Sequence, residues 1–174
     1  MPKDCVLVKP TTEPRKSPVT LQQVKDYMRI NGSQVDEELK GFIKSAVTYL
    51  ENKMGRALLH KTYQCLYASN RTIRLPYMPI SFIHSVTGFS DFKREKPTEI
   101  QDYKVLNDQL KIPFSGPWIE VVYTAGYTEN PKDLPPDLIQ AVLLTVSCLY
   151  DMRTGEVDLT PVNDLIAPYL VRHL

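Results

Sequence analysis

The chain has 174 residues, 43% hydrophobic and 24% charged, with a formal net charge of +1. That length suits one domain with its own core, in which folding buries about 70% of the extended-chain surface. The near-neutral charge implies no general attraction to nucleic acid or membrane, and neither demands nor excludes a DNA-facing surface.

Three cysteines, Cys5, Cys65 and Cys148, lie far apart without C-x-x-C spacing. A metal site or a disulfide framework is not expected from that pattern, and idle thiols in a reducing compartment are. No basic-then-apolar leader opens the chain, so secretion is not expected. The apolar run Ala141 to Val146 is far too short to span a bilayer.

Residues 1–18 carry Pro2, Pro10, Pro14 and Pro18, with Lys3, Lys9, Arg15 and Lys16 against Asp4 and Glu13. Proline this dense blocks helices and sheet ladders. An extended arm is expected, with one short strand over 5–8. Two readings stand: a loose tail, or an arm that pairs with a neighbouring subunit. Thr20 and Gln23 then form a capping box that opens a helix over about 20–30, with Leu21, Val24 and Met28 at helical spacing. Asn31-Gly32 is expected to stop it.

A second helix is expected over 36–54. Leu39, Phe42, Ile43, Ala46, Val47, Leu50 and Met54 make one apolar stripe. Asp36, Glu37 and Glu38 open it and Lys53 closes it, which complements the helix dipole, with Gly55 just past its end. From 62 to 124 the period changes. Strands are expected over 62–68, 72–75, 80–89, 103–106, 109–112 and 118–124, with a turn at Asn107-Asp108. Residues 91–99 read as a solvated loop. Gly126 is expected to take a turn that other residues do not.

The third helix starts at Pro136, a residue welcome at a first helical position, and runs to about 153. Leu138, Ala141, Val142, Thr145, Val146 and Leu149 line one side, and Ile139, Leu143 and Leu144 add apolar surface elsewhere. A helix apolar on so much of its circumference calls for a partner subunit. The end, 162–174, holds Leu165, Ile166, Tyr169, Leu170 and Val171 around Pro168, and reads as a short interrupted helix.

No nucleophile, metal or phosphate motif appears. His60, His84 and His173 sit in unrelated contexts, and no H-E-x-x-H, G-x-S-x-G, Walker loop or G-x-G-x-x-G occurs. The acidic residues Asp91, Glu95 and Glu99 lie in the expected loop, a poor setting for catalytic carboxylates. Catalytic, metal and cofactor residues are therefore expected to be none, and the protein not to be an enzyme. A stacking surface for single-stranded nucleic acid would need basic residues among its tyrosines. Tyr63, Tyr67, Arg71, Arg74 and Tyr77 approach that only loosely, and core or interface roles suit the tyrosines better.

The order of pieces resembles the head–tail connector family of tailed double-stranded DNA phages, the head-completion adaptors beneath the portal. Carrying the resemblance are Val19-Thr20-Leu21, residues 46–52 with Gly55-Arg56-Ala57-Leu58, Leu75-Pro76, Pro79-Ile80 and Ser85-Val86. Val121 to Tyr127, Pro135 to Ala141, Leu149 to Arg153 and Leu165 to Tyr169 complete it. The resemblance implies a mainly α fold with a β-rich insert: a small helical bundle with antiparallel strands over 62–124 between its second and third helices. It implies a single connector domain over 19–174. The arm over 1–18 has no counterpart in it.

The function implied by the resemblance is that of a structural virion protein joining the capsid portal to the tail. It would form a ring around the DNA passage, with the portal's twelvefold symmetry. Its partners would be other copies of itself, the portal, and a tail or stopper protein. Genomic DNA would pass without sequence-specific binding, and no membrane or cofactor would be involved. Localisation would be the virion neck, after assembly in the host cytoplasm. Leu165, Ile166, Tyr169, Leu170 and Val171 would form the subunit or portal interface, the alternative being that this tail folds back on its own core. The rivals are another neck protein such as a stopper or tail-end protein, a small enzyme, or a nucleic-acid-binding module built on His60, Lys61, Arg71 and Arg74.

Overall fold

The computed structural model describes residues 5–68, 71–106, 109–151, 155 and 158–171. The expected turn at Asn107-Asp108, the helix end at 152–153, and His173 fall outside them. The chain folds as two compact units, and neither is continuous in sequence. One takes its residues from 1–14 and 60–127, the other from 15–59 and 128–174.

Strands dominate the first unit. A five-stranded antiparallel sheet has the order β1 (Cys5–Pro10), β2 (Lys61–Ala68), β8 (Trp118–Ala125), β4 (Ile80–Phe89) and β5 (Pro97–Glu99). A second sheet has the order β3 (Thr72–Arg74), β7 (Gln109–Lys111) and β6 (Lys104–Leu106). The central strand β8 alternates strictly. Ile119, Val121, Tyr123 and Ala125 are buried, while Trp118, Glu120, Val122 and Thr124 are half-buried. That period-two pattern sends one face to the core. The other face carries a polar ladder: Gln64 Nε2 donates to Glu120 Oε2 at 2.9 Å, and the hydroxyls of Thr62 and Thr124 meet at 3.0 Å.

This corrects the expected fold class. Helix makes up 35% and strand 30%, an α+β fold rather than a mainly α one. Nor are the strands an insert between the second and third helices. β1 comes from before the first helix, and pairs with β2 from Cys5 opposite Tyr67 to Pro10 opposite Tyr63. The arm over 1–18 thus supplies an edge strand two residues longer than its apolar stretch suggests. β5, in the stretch read as solvated loop, extends the opposite edge.

Helices make up the second unit: α1 (Leu21–Met28), α2 (Asp36–Met54), α3 (Pro136–Asp151) and α4 (Thr160–Ile166), the last followed by a 3-10 turn (Ala167–Tyr169). The capping box forms as expected. Thr20 accepts from the Gln23 amide, and the Gln23 side chain accepts from the Thr20 amide at 2.8 Å. α1 stops at Arg29, whose left-handed backbone turns its amide back to Asp26 and Lys25, earlier than Asn31-Gly32. α2 ends on Gly55 at φ 66, where a side chain would be strained.

α2 and α3 pack together as the core of this unit. Leu39, Ile43, Ala46, Leu50 and Met54 are buried from one helix, and Leu138, Ala141, Val142 and Val146 from the other. The buried hydroxyl of Thr145 donates to the Ala141 carbonyl at 2.7 Å, so it costs little there. Buried Glu51 accepts from the Leu58 amide at 2.9 Å and closes the turn after α2.

Candidate assembly surfaces

His60 and His84 both lie in the strand unit with hydroxyl neighbours. His60 Nε2 lies 3.1 Å from Ser81 Oγ, and that hydroxyl donates to the Gly126 carbonyl at 3.2 Å. With its one proton given to the carbonyl, Ser81 must accept from His60. An activated serine needs the reverse, donation to an imidazole base. Gly126 itself sits at φ 141, the turn its residue type allows. His84 Nε2 contacts Thr124 Oγ1 at 2.7 Å on the polar face of the sheet. Among the described residues no group of three or more His, Cys, Asp and Glu side chains is placed to hold a metal.

Of the tyrosines considered for base stacking, Tyr63 and Tyr67 are buried and Tyr77 is half-buried. Tyr63 stacks on Tyr77 at 4.5 Å, and Tyr67 Oη donates to the Arg74 carbonyl at 2.8 Å. Two basic residues of the nucleic-acid reading meet polar partners. Lys61 lies 3.9 Å from Glu13, and Arg74 meets the side-chain oxygen of Gln109. Arg71 lines an open hollow of about 620 Å³ with Lys104, Lys111 and Asp102.

Two cysteines do come together. Cys5 on β1 shares a thiol hydrogen bond with buried Cys65 on β2, and that bond lowers the Cys5 pKa to about 7. The same bond, with burial, pushes Cys65 up. A lowered pKa favours the thiolate, the reactive form, so Cys5 gains reactivity as pH rises through about 7. Iodoacetamide at pH 7.5, about neutral, is therefore expected to alkylate Cys5 well before Cys65. Peptide mass spectrometry checks this, and equal labelling of the two would contradict it.

Surfaces remain as the functional candidates. In the first unit, Val6 and Leu7 on edge strand β1, Phe82 on β4, Phe92 in the β4–β5 loop, and Val105 and Leu106 on edge strand β6 are all exposed. Edge strands carrying apolar side chains are pairing templates that lone proteins avoid. In the second unit, Ile139, Leu143, Leu144 and Leu149 of α3 stay only half-buried, as the wide apolar circumference of that helix foreshadowed.

The C-terminal candidates divide. Ile166 is fully buried in its own unit, alongside Val162. Leu165, Tyr169, Leu170 and Val171 are half-buried. The segment is tied to the end of α2: Arg56 Nε donates to the Tyr169 carbonyl at 2.6 Å, and the Val171 amide donates to Met54 O at 3.1 Å. Tyr169 Oη reaches Asp137 at 3.4 Å. The arm strand over 5–8 was expected from the sequence, whereas β5 and the exposed Phe92 were not. For Phe92 the available clue was an aromatic among charges.

A family model described as head completion protein matches residues 19–160. No curated protein matches the chain. Solved structures do. A chain in the neck of an empty gene transfer agent particle, computed with C6 symmetry, is 20% identical with a TM-score of 0.81. A chain in the virion of the native particle is 21% identical with a TM-score of 0.78. A chain in the neck of the native particle, computed with C12 symmetry, is 20% identical with a TM-score of 0.78. Each likeness covers 97% of this chain and 98% of the other. At such identity the likeness is one of fold, and it extends beyond the residues the family model matches. Its match over 19–160 places this chain in the head completion protein family.

Proposed function

We propose that the protein is a structural component of a virion neck, a ring that joins the portal to the tail and lets DNA pass. The observation that carries this reading is the family match over 19–160. The fold shared with chains from necks of C6 and C12 symmetry supports it, since a twelvefold ring contains both. Half-buried apolar side chains along α3 supply a surface that lateral neighbours would cover. Near-neutral charge suits a channel that must release the phosphates it surrounds. The work is geometric, and no catalytic role is assigned.

In this reading the partners are other copies of the chain, the portal, and a tail or stopper protein. Assembly takes place in the host cytoplasm. The outward faces of Leu165, Tyr169, Leu170 and Val171 meet the portal, while Ile166 holds the segment from within. Deleting the gene should give particles with filled heads and no tails. Cryo-electron microscopy of complete particles should show a twelvefold ring of this protein below the portal. Tailed particles without the gene, or complete necks without such a ring, would refute the reading.

A further inference from the structure

Residues 91–96 form a built loop. Asp91 accepts from the Glu95 amide through Oδ2 and from the Lys96 amide through Oδ1, both at 3.0 Å. The Arg94 amide returns to the Asp91 carbonyl at 3.3 Å, with Arg94 itself at φ 60. Trp118 Nε1 donates to the Phe92 carbonyl at 3.3 Å, which ties the loop to β8. Amides pointing at its carboxylate hold Asp91 below the usual carboxylate range, so the loop keeps this shape at neutral pH.

The backbone so fixed presents Phe92 with 82% of its surface exposed. Lys93, Arg94 and Lys96 are exposed beside it, outnumbering the exposed Glu95 among them. An aromatic and an arginine on preordered backbone lose little freedom on docking, which is how interface anchors are built. Such an anchor fits an apolar strip bordered by carboxylates.

The second unit carries such a strip. Leu144 and Cys148, one helical turn apart on α3, are half-buried. Exposed Asp151 follows on the same helix, and Cys148 Sγ lies 3.8 Å from the carbonyl oxygen of exposed Asp158. Burial, then the charges of Asp151 and Asp158, raise the Cys148 pKa, so both carboxylates act on this strip. Among the described residues the last turn of α3 holds no basic side chain, so the negative end of its dipole adds to these carboxylates.

We propose that the Phe92 loop is the projecting half of a lateral contact between two copies of this chain. Phe92 seats on the Leu144–Cys148 strip of the next copy, and the loop's cations face that copy's Asp151 and Asp158. Two different patches on one chain make a head-to-tail contact, the kind that repeats around a ring. The proposal rests on the ring reading and specifies its joint.

Necks assembled in particles test it. Lys93→Cys, made with Cys5→Ser, keeps Phe92 and places a thiol beside the neighbour's Cys148. Mild oxidation by copper phenanthroline and oxygen should give a reducible ladder of cross-linked subunits. The ladder should vanish when Cys148→Ser is added. Phe92→Asp should leave the thermal transition of the isolated protein in place and lower neck occupancy at least about tenfold, as expected when a buried interface anchor is replaced by a charge. Rings in the Lys93→Cys necks without a ladder, a ladder that survives Cys148→Ser, or normal occupancy with Phe92→Asp would each overturn the proposal. Wild-type necks that hold no ring of this protein would overturn the ring reading as well.

Discussion

Leu50→Ala is expected to cost about 2–5 kcal/mol of folding stability, the range for emptying a fully buried leucine site. Leu50 has no exposed surface, and it lies on the buried face of α2, the helix that packs against α3. Its neighbours Ala46 and Met54, one turn to either side, are also buried. Three consecutive turns fixed in this way leave little room to collapse into the space that the lost isobutyl group vacates. For a chain of this size each kcal/mol lowers the melting temperature by roughly 2–4 °C. Thermal unfolding followed by circular dichroism reads this directly. A change under about 0.5 kcal/mol, the level typical of surface substitutions, would show that the stripe is not core.

Deleting residues 160–174 should be more damaging still. Val162 and Ile166 are both fully buried, and burying each contributes roughly 1.5–3 kcal/mol. The deletion also removes the main-chain bond from Val171 to Met54 and the carbonyl that Arg56 binds, leaving the end of α2 without them. The truncated protein should therefore lose its cooperative thermal transition or melt far below the full chain. An unchanged transition would mean that α4 contributes nothing to the fold of the isolated subunit. Partner recognition at this end is then better probed by Leu165→Ser than by truncation, because Leu165 is only half-buried.

The helices were legible because each carries its own signal. The stripe of α2 and the capping box of α1 are contained within about twenty residues of chain, and tertiary packing only confirmed what spacing had set. β8 was legible for a similar reason, its alternation being strict over eight residues. β5 was not, because Pro97, Thr98 and Glu99 are all exposed and alternate with nothing. The partner of β1 was hidden as well. Cys5 meets Tyr67 across a stretch of sequence that no local pattern spans, so the arm could be read as loose or as reaching for a neighbour. The mainly α reading followed from the resemblance, and no local pattern stood against it, since helices announce themselves locally and sheets are completed by distant strands. The fixed shape of the loop around Phe92 was not legible for a related reason. Its rigidity comes from Asp91 accepting two amides and from Trp118 on another strand, while its charges look like those of any solvated stretch.

Because β1 precedes α1 and α2 while β2 follows them, the polypeptide visits each unit twice. That interleaving bears on biosynthesis. As the chain leaves the ribosome, the first unit cannot finish its sheet until β8 has emerged, and the second unit cannot close until α4 has emerged. Both are therefore completed late in translation. No single cut in the gene releases either as an intact fragment, so dissecting the two requires circularly permuted or internally linked genes rather than simple truncations.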